Sequence, residues 1–155
     1  MDPHLYATLL FLHILCAIIW VGGGITLHLY ALQAMKGDTT EKINFMKHAE
    51  MIGKKVFAPA SGVLLVLGVW MVLADPRWGL TDTWVLIGFA GIIVSAGLGS
   101  AVIGPSAGKM AALLQEKGAE DPEVVALSKK IMLLSRVDIA ILIVVVWDMA
   151  YKPFS

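Results

Sequence analysis

Four long apolar segments constrain the fold of this chain more than any other feature. They cover residues 5–34, 56–74, 83–103 and 131–151, and a helix needs about 20 apolar residues to cross a bilayer. The chain is 58% hydrophobic and only 15% charged, which is more apolar than a soluble domain. Backbone groups inside a bilayer must bond to one another, so such segments are helical. We predict an all-α membrane protein, an antiparallel bundle of four transmembrane helices that forms a single domain over residues 1–155.

The cations are sorted to one side of the predicted bundle. Ten of the twelve Lys and Arg residues lie in or beside the connectors that follow the first and third segments, at Lys36, Lys42, Lys47, Lys54, Lys55, Lys109, Lys117, Lys129, Lys130 and Arg136. By the positive-inside rule these connectors face the cytoplasm, which places both termini outside. The sequence therefore predicts a multi-pass protein of a bacterial-type inner membrane, N-out and C-out. We expect the protein to contact the lipid bilayer. The lysines lie where the membrane topology requires them, so they do not indicate a nucleic-acid partner.

A histidine, His13, lies inside the first apolar segment. An ionisable side chain within a membrane is costly and marks a candidate functional site. On a helical projection, His13, Trp20 and Gly24 share one face, with Gly23 beside them. An axial ligand, an aromatic ring and bare backbone are what a flat macrocycle such as haem needs, so a single haem with His13 as an axial ligand to its iron is one hypothesis. The alternative is a core histidine that is hydrogen-bonded to a serine or a backbone carbonyl.

The second ligand of such a haem is less defined. His28 lies about 22 Å along the helix axis from His13 at 1.5 Å per residue, near the cytoplasmic edge, and we count it among the cofactor-binding candidates. The second, third and fourth segments contain no histidine, which argues against two bis-histidine haems. Met71 and His48 are the candidate metal ligands that remain within one chain. A homodimer could also supply the ligand across its interface.

The fourth segment carries two charges near its cytoplasmic end, Arg136 and Asp138. A carboxylate at this depth should face the bundle interior and find a partner, and His28 lies at a similar depth. We therefore predict a His28–Asp138 pair that orients a ligand, shuttles a proton or only neutralises two buried polar groups. Arg136, two residues away, should point to lipid phosphates or pair with the propionates of a haem that lies inward.

Small residues mark one face of the third segment. Gly91, Ser95 and Gly99 follow one another at four-residue spacing, which lets transmembrane helices approach closely. We expect a tight helix contact along this face. Trp78 and Trp84, on either side of the turn before this segment, are suited to the aromatic belt at the membrane surface.

Three stretches of the chain resemble known membrane proteins. His13-x6-Trp20-x-Gly22-Gly23 looks like the first helix of HemJ-type and CopD-type four-helix proteins, and Lys54-Lys55-Val-Phe-Ala-Pro59-Ala-Ser-Gly62 resembles their entry to helix two. The closing stretch, from Arg136-Val-Asp138 to Met149-Ala-Tyr-Lys152-Pro153, is similar to a family of predicted integral membrane proteins within that superfamily. The resemblance covers most of the chain.

The resemblance implies haem b on His13, because HemJ proteins are haem-containing oxidases of protoporphyrinogen. The functional lysine of those proteins, early in helix three, does not carry over, since counting from Trp84 the equivalent position is Gly88. The expected function is therefore electron transfer, or redox chemistry on a small hydrophobic substrate such as a quinone or a porphyrinogen-like molecule. One alternative is CopD-like copper transport or handling through His13, His28 and Met71. Another is a cofactor-free accessory subunit of a respiratory membrane complex.

Overall fold

The computed structural model describes residues 2–152, which form four long helices joined by three short turns, with no strand among them. The helices are α1 (Pro3–Ala34), α2 (Thr39–Ala74), α3 (Thr83–Lys117) and α4 (Pro122–Tyr151). The prediction of an all-α protein is confirmed over these residues. Pro153, which the closing motif includes, lies outside the described residues.

Short polar turns begin and end the helices. The carboxylates of Asp2, Asp38 and Asp121 accept hydrogen bonds from backbone N–H groups in the first turns of α1, α2 and α4. Such caps satisfy donors that a helix start leaves free. Gly118 follows the end of α3 with a φ of 82°, a region that glycine adopts without steric cost.

Three of the helices are long and apolar enough to cross a membrane by length and composition, namely α1, α2 and α3. The 30-residue α4 is also long enough, but Arg136, Asp138 and Asp148 interrupt its apolar part. Large apolar side chains point outward from the bundle, at Phe11, Ile18, Leu29, Val66, Leu73, Ile93, Val144 and others. An outward apolar surface of this kind contacts the lipid bilayer.

The bundle has two unlike ends. We call the end with the turns at 35–38 and 118–121 the basic end, and the end with Asp2, the turn at 75–82 and Lys152 the terminal end. At the basic end α2 and α3 pack tightly around a buried core, with Met46, Met110 and Leu114 each 1% exposed. Smaller clusters follow toward the terminal end, around Trp20, Leu64, Ile92, Leu142 and Val145, and around Val72, Trp84 and Val85.

Each of α1, α2 and α3 contains a short π-helical segment. The segments are Ile18–Gly22, Gly53–Phe57 and Leu98–Ile103, and the one in α2 contacts both of the others. π-Helical turns are rare and are found frequently at functional sites. Since a π-helical turn changes the number of residues per turn, a helical projection drawn at constant 3.6 residues per turn loses its phase across each segment.

The small-residue face of α3 is tightly packed in one half and borders open space in the other. A Cβ at Gly91 would collide with Val145 of α4, and one at Gly88 would collide with Met149, so here the helices do approach closely. A Cβ at Gly99 would meet no atom within 4 Å. The predicted tight contact is therefore correct for the terminal half of this face and wrong for Gly99, where the face borders a cavity.

Candidate functional site

A large cavity lies in the terminal half of the bundle, and we call it the His13 cavity. It has a volume of about 570 Å³ and takes its lining from all four helices, including His13, Trp20, Met71, Trp84 and Met149. Its wall is mainly apolar. Cavities of about 300–1,000 Å³ with few polar groups are typical of ligand and cofactor sites.

The imidazole of His13 is held in one orientation. Its Nδ1 lies 3.1 Å from the carbonyl oxygen of Leu64 on α2. A carbonyl can only accept, so Nδ1 carries the proton and the lone pair of the neutral ring is on Nε2. None of the residues from 2 to 152 bonds to Nε2. Gly68 leaves room for the ring, because a Cβ there would lie 3.2 Å from His13 Cε1.

This arrangement fits a haem iron better than a bare metal ion. A bare transition-metal site needs three or four protein ligands, and residues 2–152 hold no group of three His, Cys, Asp or Glu side chains that could bind a metal ion. Haem iron needs one axial imidazole, and a backbone carbonyl on the other ring nitrogen is the usual way to orient it. Of the second-ligand candidates, Met71 lines the His13 cavity, whereas His28 and His48 do not.

The residues predicted to pack a macrocycle beside His13 are divided between two places. Trp20 is 5% exposed and lines both the His13 cavity and a second cavity nearer the basic end. Gly24 lines that second cavity. Gly23 lies against Phe57 of α2, where a Cβ would come within 2.8 Å of the ring. The π-helical segment at Ile18–Gly22 contains Trp20 and lies between His13 and the two glycines.

Aromatic rings lie at the terminal end of the His13 cavity. Trp78 and Trp84 make an edge-to-face contact at 5.2 Å, and Lys152 Nζ lies 4.3 and 4.7 Å from their ring centres. Trp84 is 6% exposed, so its predicted place in a lipid-facing aromatic belt is wrong. Its indole fills the space between α2 and the end of α4 instead.

An ion pair holds the turn that carries Trp78. Arg77 binds both carboxylate oxygens of Asp75, with Nε 3.0 Å from Oδ1 and Nη2 2.6 Å from Oδ2. Hydrogen bonds from Arg77 favour the ionised carboxylate and lower the pKa of Asp75 to about 2. The turn is thereby fixed in place beside the cavity.

The second cavity, which we call the Asp138 cavity, has a volume of about 330 Å³. It is lined by polar groups from all four helices, including His28, Ser61, Ser95, Ser135 and Asp138. Ser95 Oγ donates to Asp138 Oδ1 at 2.5 Å, and His28 Nδ1 lies 2.7 Å from Ser135 Oγ. Ser135 Oγ also lies 3.1 Å from the Met132 carbonyl. When its hydroxyl donates to that carbonyl, His28 Nδ1 donates to Ser135 and the lone pair of the neutral ring is on Nε2.

The predicted direct His28–Asp138 pair is not formed. Both side chains line one cavity, as their similar depth predicted, but each has a serine partner. Ser135 lies one turn before Asp138 on α4 and forms the hydrogen bond with the His28 imidazole. Ser95 is completely buried and reaches the carboxylate from α3. The four-residue spacing between Gly91, Ser95 and Gly99 predicted the face of α3 on which Ser95 lies. It did not predict the hydrogen bond from the Ser95 hydroxyl to Asp138.

The remaining charges lie away from both cavities. Arg136 is exposed and borders neither cavity, as predicted for a side chain opposite Asp138. At the basic end Glu123 accepts from Lys117 at 2.8 Å and from Lys109 at 2.9 Å. These hydrogen bonds lower the pKa of Glu123 to about 2. Lys109 is therefore already paired with a carboxylate of the chain.

A second carboxylate of α4, that of Asp148, is buried in the bundle. It is 1% exposed, and no described residue donates a hydrogen bond to either of its carboxylate oxygens. It lies ten residues beyond Asp138 on α4 and lines neither cavity. The spacing along α4 did not reveal that a second carboxylate is buried.

Comparison with known proteins identifies a family for the whole chain. The family model described as "Predicted integral membrane protein (DUF2269)" matches residues 7–153, and the chain belongs to this family. This confirms the predicted membership in a family of integral membrane proteins, while the relationship to HemJ and CopD proteins stays a prediction. No curated protein and no solved structure matches the chain.

Proposed function

We propose that this DUF2269 chain is a haem b protein of the membrane, which transfers electrons or carries out redox chemistry on a small hydrophobic substrate such as a quinone or a porphyrinogen-like molecule. One observation carries the proposal. His13 donates from Nδ1 to the Leu64 carbonyl, which leaves Nε2 without a partner among the described residues in a mainly apolar cavity of about 570 Å³. The resemblance of the first helix to HemJ-type proteins supports the same cofactor.

Three residues of the cavity have roles in this proposal. His13 Nε2 would bind the iron, and the Leu64 carbonyl orients the imidazole and increases its basicity. Met71, which lines the same cavity, is the candidate second ligand. The apolar wall excludes water, and burial of this kind tunes a haem potential. Bound haem supplies one-electron redox chemistry.

We further propose that all four helices cross a bacterial inner membrane with both termini outside. Ten of the twelve Lys and Arg residues lie at the basic end, which supports a cytoplasmic basic end by the positive-inside rule. The burial of Asp138 and Asp148 within the bundle supports a crossing by α4. A cysteine placed at Thr39, after Cys16→Ala removes the natural thiol, should react with a membrane-impermeant maleimide only from the cytoplasmic side. Reaction from outside would reverse the orientation.

Absorption spectroscopy of the purified protein tests the haem proposal. After expression with adequate haem supply, the oxidised and dithionite-reduced spectra should show a Soret band and reduced α and β bands. A pyridine haemochrome assay should give about one haem per chain. His13→Ala should lose this absorbance, whereas His48→Ala, a change to an exposed histidine outside both cavities, should retain it. A colourless wild-type protein, or a His13→Ala variant with an unchanged spectrum, would refute the assignment.

One observation favours copper handling as a second candidate. His13 and Met71 line the same cavity, and imidazole and thioether are ligands that suit copper. Metal analysis of the purified protein separates the two functions, because copper at one equivalent without haem absorbance would support transport or handling. A protein with neither would favour the third alternative, a cofactor-free accessory subunit of a respiratory membrane complex.

A further inference from the structure

The Asp138 cavity is kept open by residues that have little or no side chain. A Cβ added at Gly24, Gly53 or Gly99 would meet no atom within 4 Å, although these glycines come from three different helices that line the cavity. Protein interiors are otherwise close-packed, and small residues in membrane bundles normally bring helices together. Here they leave about 330 Å³ of space beside polar groups.

All three π-helical segments border this space. Trp20 comes from the segment in α1, Gly53 and Phe57 from the segment in α2, and Ser100 from the segment in α3. Such segments concentrate at functional sites. Three of them converge on one cavity, and Ile103 of the α3 segment also packs against the basic-end core.

The four serine hydroxyl groups that line the cavity each donate a hydrogen bond to another group of the chain. Ser61 donates to the Ala58 carbonyl, Ser95 to Asp138, Ser100 to the Ala96 carbonyl and Ser135 to the Met132 carbonyl. A serine hydroxyl has one proton to donate and two lone pairs that accept. Toward the cavity these four serines can therefore act only as acceptors.

The two titratable residues add acceptors of their own. Asp138 Oδ1 is engaged by Ser95, and no described residue donates to Oδ2. His28 uses Nδ1 for Ser135, so its neutral ring presents the Nε2 lone pair. The indole N–H of Trp20 is the one side-chain donor of the lining that forms no hydrogen bond with a described residue. A complementary ligand must therefore bring hydrogen-bond donors with it.

The walls of the cavity select among such ligands. No Lys or Arg of the described residues lines it, and Trp20, Phe45 and Phe57 give it aromatic walls, against which a flat ring packs favourably. An aromatic ring that carries hydroxyl groups supplies both the flat surface and the hydrogen-bond donors.

We propose that the Asp138 cavity binds an aromatic alcohol of the phenol or quinol class, whose hydroxyl groups donate to Asp138 Oδ2 and His28 Nε2. A hydroxyl oxygen can also accept from the Trp20 indole. This binding site goes beyond the proposed haem function and does not depend on it. It gives Ser95 and Ser135 the role of positioning residues, which hold the carboxylate and the imidazole toward the ligand.

Calorimetric titration of the protein in lipid nanodiscs tests this site. The probe is tetramethylhydroquinone under anaerobic conditions, and its dimethyl ether is the matched control, since the ether keeps the ring and loses both donors. We expect the ether to bind at least about tenfold more weakly, the effect of losing one hydrogen bond to a charged group. Equal affinity for the two compounds would overturn the proposal.

Matched variants locate the binding. Asp138→Ala should weaken binding of the hydroquinone by about tenfold, whereas Asp148→Ala, which removes a carboxylate of α4 outside the cavity, should leave it unchanged. Gly99→Leu, which fills the cavity from α3 without touching a titratable group, should abolish binding even if Asp138→Ala does not fold. His13→Ala should bind normally, so failure of the haem proposal and failure of this one are distinguishable. Binding that survives Gly99→Leu would place the ligand elsewhere.

Discussion

The His13 cavity and the Asp138 cavity present the same side chain in two different surroundings. Each contains a histidine of α1, and the two are fifteen residues apart. In both, Nδ1 is engaged by a partner and Nε2 has none among the described residues. What differs is the wall, which is mainly apolar around His13 and rich in serine and carboxylate around His28. The comparison teaches that the chemistry of each site is set by the helices that face α1 rather than by the histidine.

The largest expected effect separates packed glycines from glycines that border a cavity. Gly91→Leu should strongly destabilise the bundle, because even a Cβ there collides with Val145; overpacking of this kind costs about 1–3 kcal/mol. Gly99→Leu should be tolerated, since the added atoms enter the Asp138 cavity. Thermal unfolding in detergent, followed by circular dichroism, measures both. Equal melting temperatures for the two variants would show that the small-residue face of α3 is packed alike along its length.

The next effect concerns the orientation of His13. Gly68→Val should push the imidazole away from the Leu64 carbonyl, because the first added carbon already lies 3.2 Å from the ring. Loss of such an orienting contact typically lowers metal affinity about 10–100-fold, and haem content in titrations of the apoprotein should fall accordingly. Gly62→Val is the control, since a Cβ at Gly62 meets no atom within 4 Å. Unchanged haem affinity in Gly68→Val would mean that the Leu64 contact does not position the ligand.

A double-mutant cycle sharpens the account of the Asp138 cavity. Ser95→Ala and Asp138→Asn should be non-additive in unfolding free energy, with a coupling of about 1–2 kcal/mol for a hydrogen bond to a carboxylate. The corresponding cycle for His28→Ala and Asp138→Asn should be nearly additive, because each residue has its own serine partner. A strong coupling in the second cycle would show that His28 and Asp138 do interact directly.

The smallest effect lies outside both cavities. Asp75 and Glu123 have folded-state pKa values of about 2, below their ordinary values. The stability that these carboxylates contribute is therefore complete above about pH 4–5, where they are also ionised in the unfolded chain. It is lost as the pH falls through 2. Salt should weaken the effect more at the exposed Glu123 than at Asp75, which is 7% exposed. Arg77→Gln should bring the titration of Asp75 back toward its ordinary pKa in NMR measurements. A melting temperature that does not change between pH 5 and pH 2 would contradict this account.

Much of the fold could be predicted because its signals are local. Apolar segments of membrane length, aspartate caps and the glycine at 118 are each determined by a few neighbouring residues. The π-helical segments could not be predicted, since nothing in a 3.6-residue pattern marks where a helix changes its number of residues per turn. The division of Trp20, Gly23 and Gly24 between two surroundings follows from the first of these segments.

The candidate sites were predictable only in part. Membrane burial of an imidazole or a carboxylate identifies His13, His28 and Asp138 as residues that need partners. It does not identify the partners, because the Leu64 carbonyl has no side-chain signal and Ser95 looks like a packing residue. Small residues are equally ambiguous, since Gly91 and Gly99 share one pattern and only the position of α4 decides which one is packed.

Trp20 has a consequence for how the two cavities communicate. Its indole is part of the wall of both, so a molecule that fixes the ring from one side also reshapes the space on the other. Coupling of this kind is reciprocal by thermodynamic necessity, and each occupant changes the affinity of the other by the same factor. Because Trp20 belongs to both walls, an occupant of the His13 cavity would shift the affinity of the Asp138 cavity for its ligand, while the empty His13 cavity of His13→Ala leaves the Asp138 cavity available.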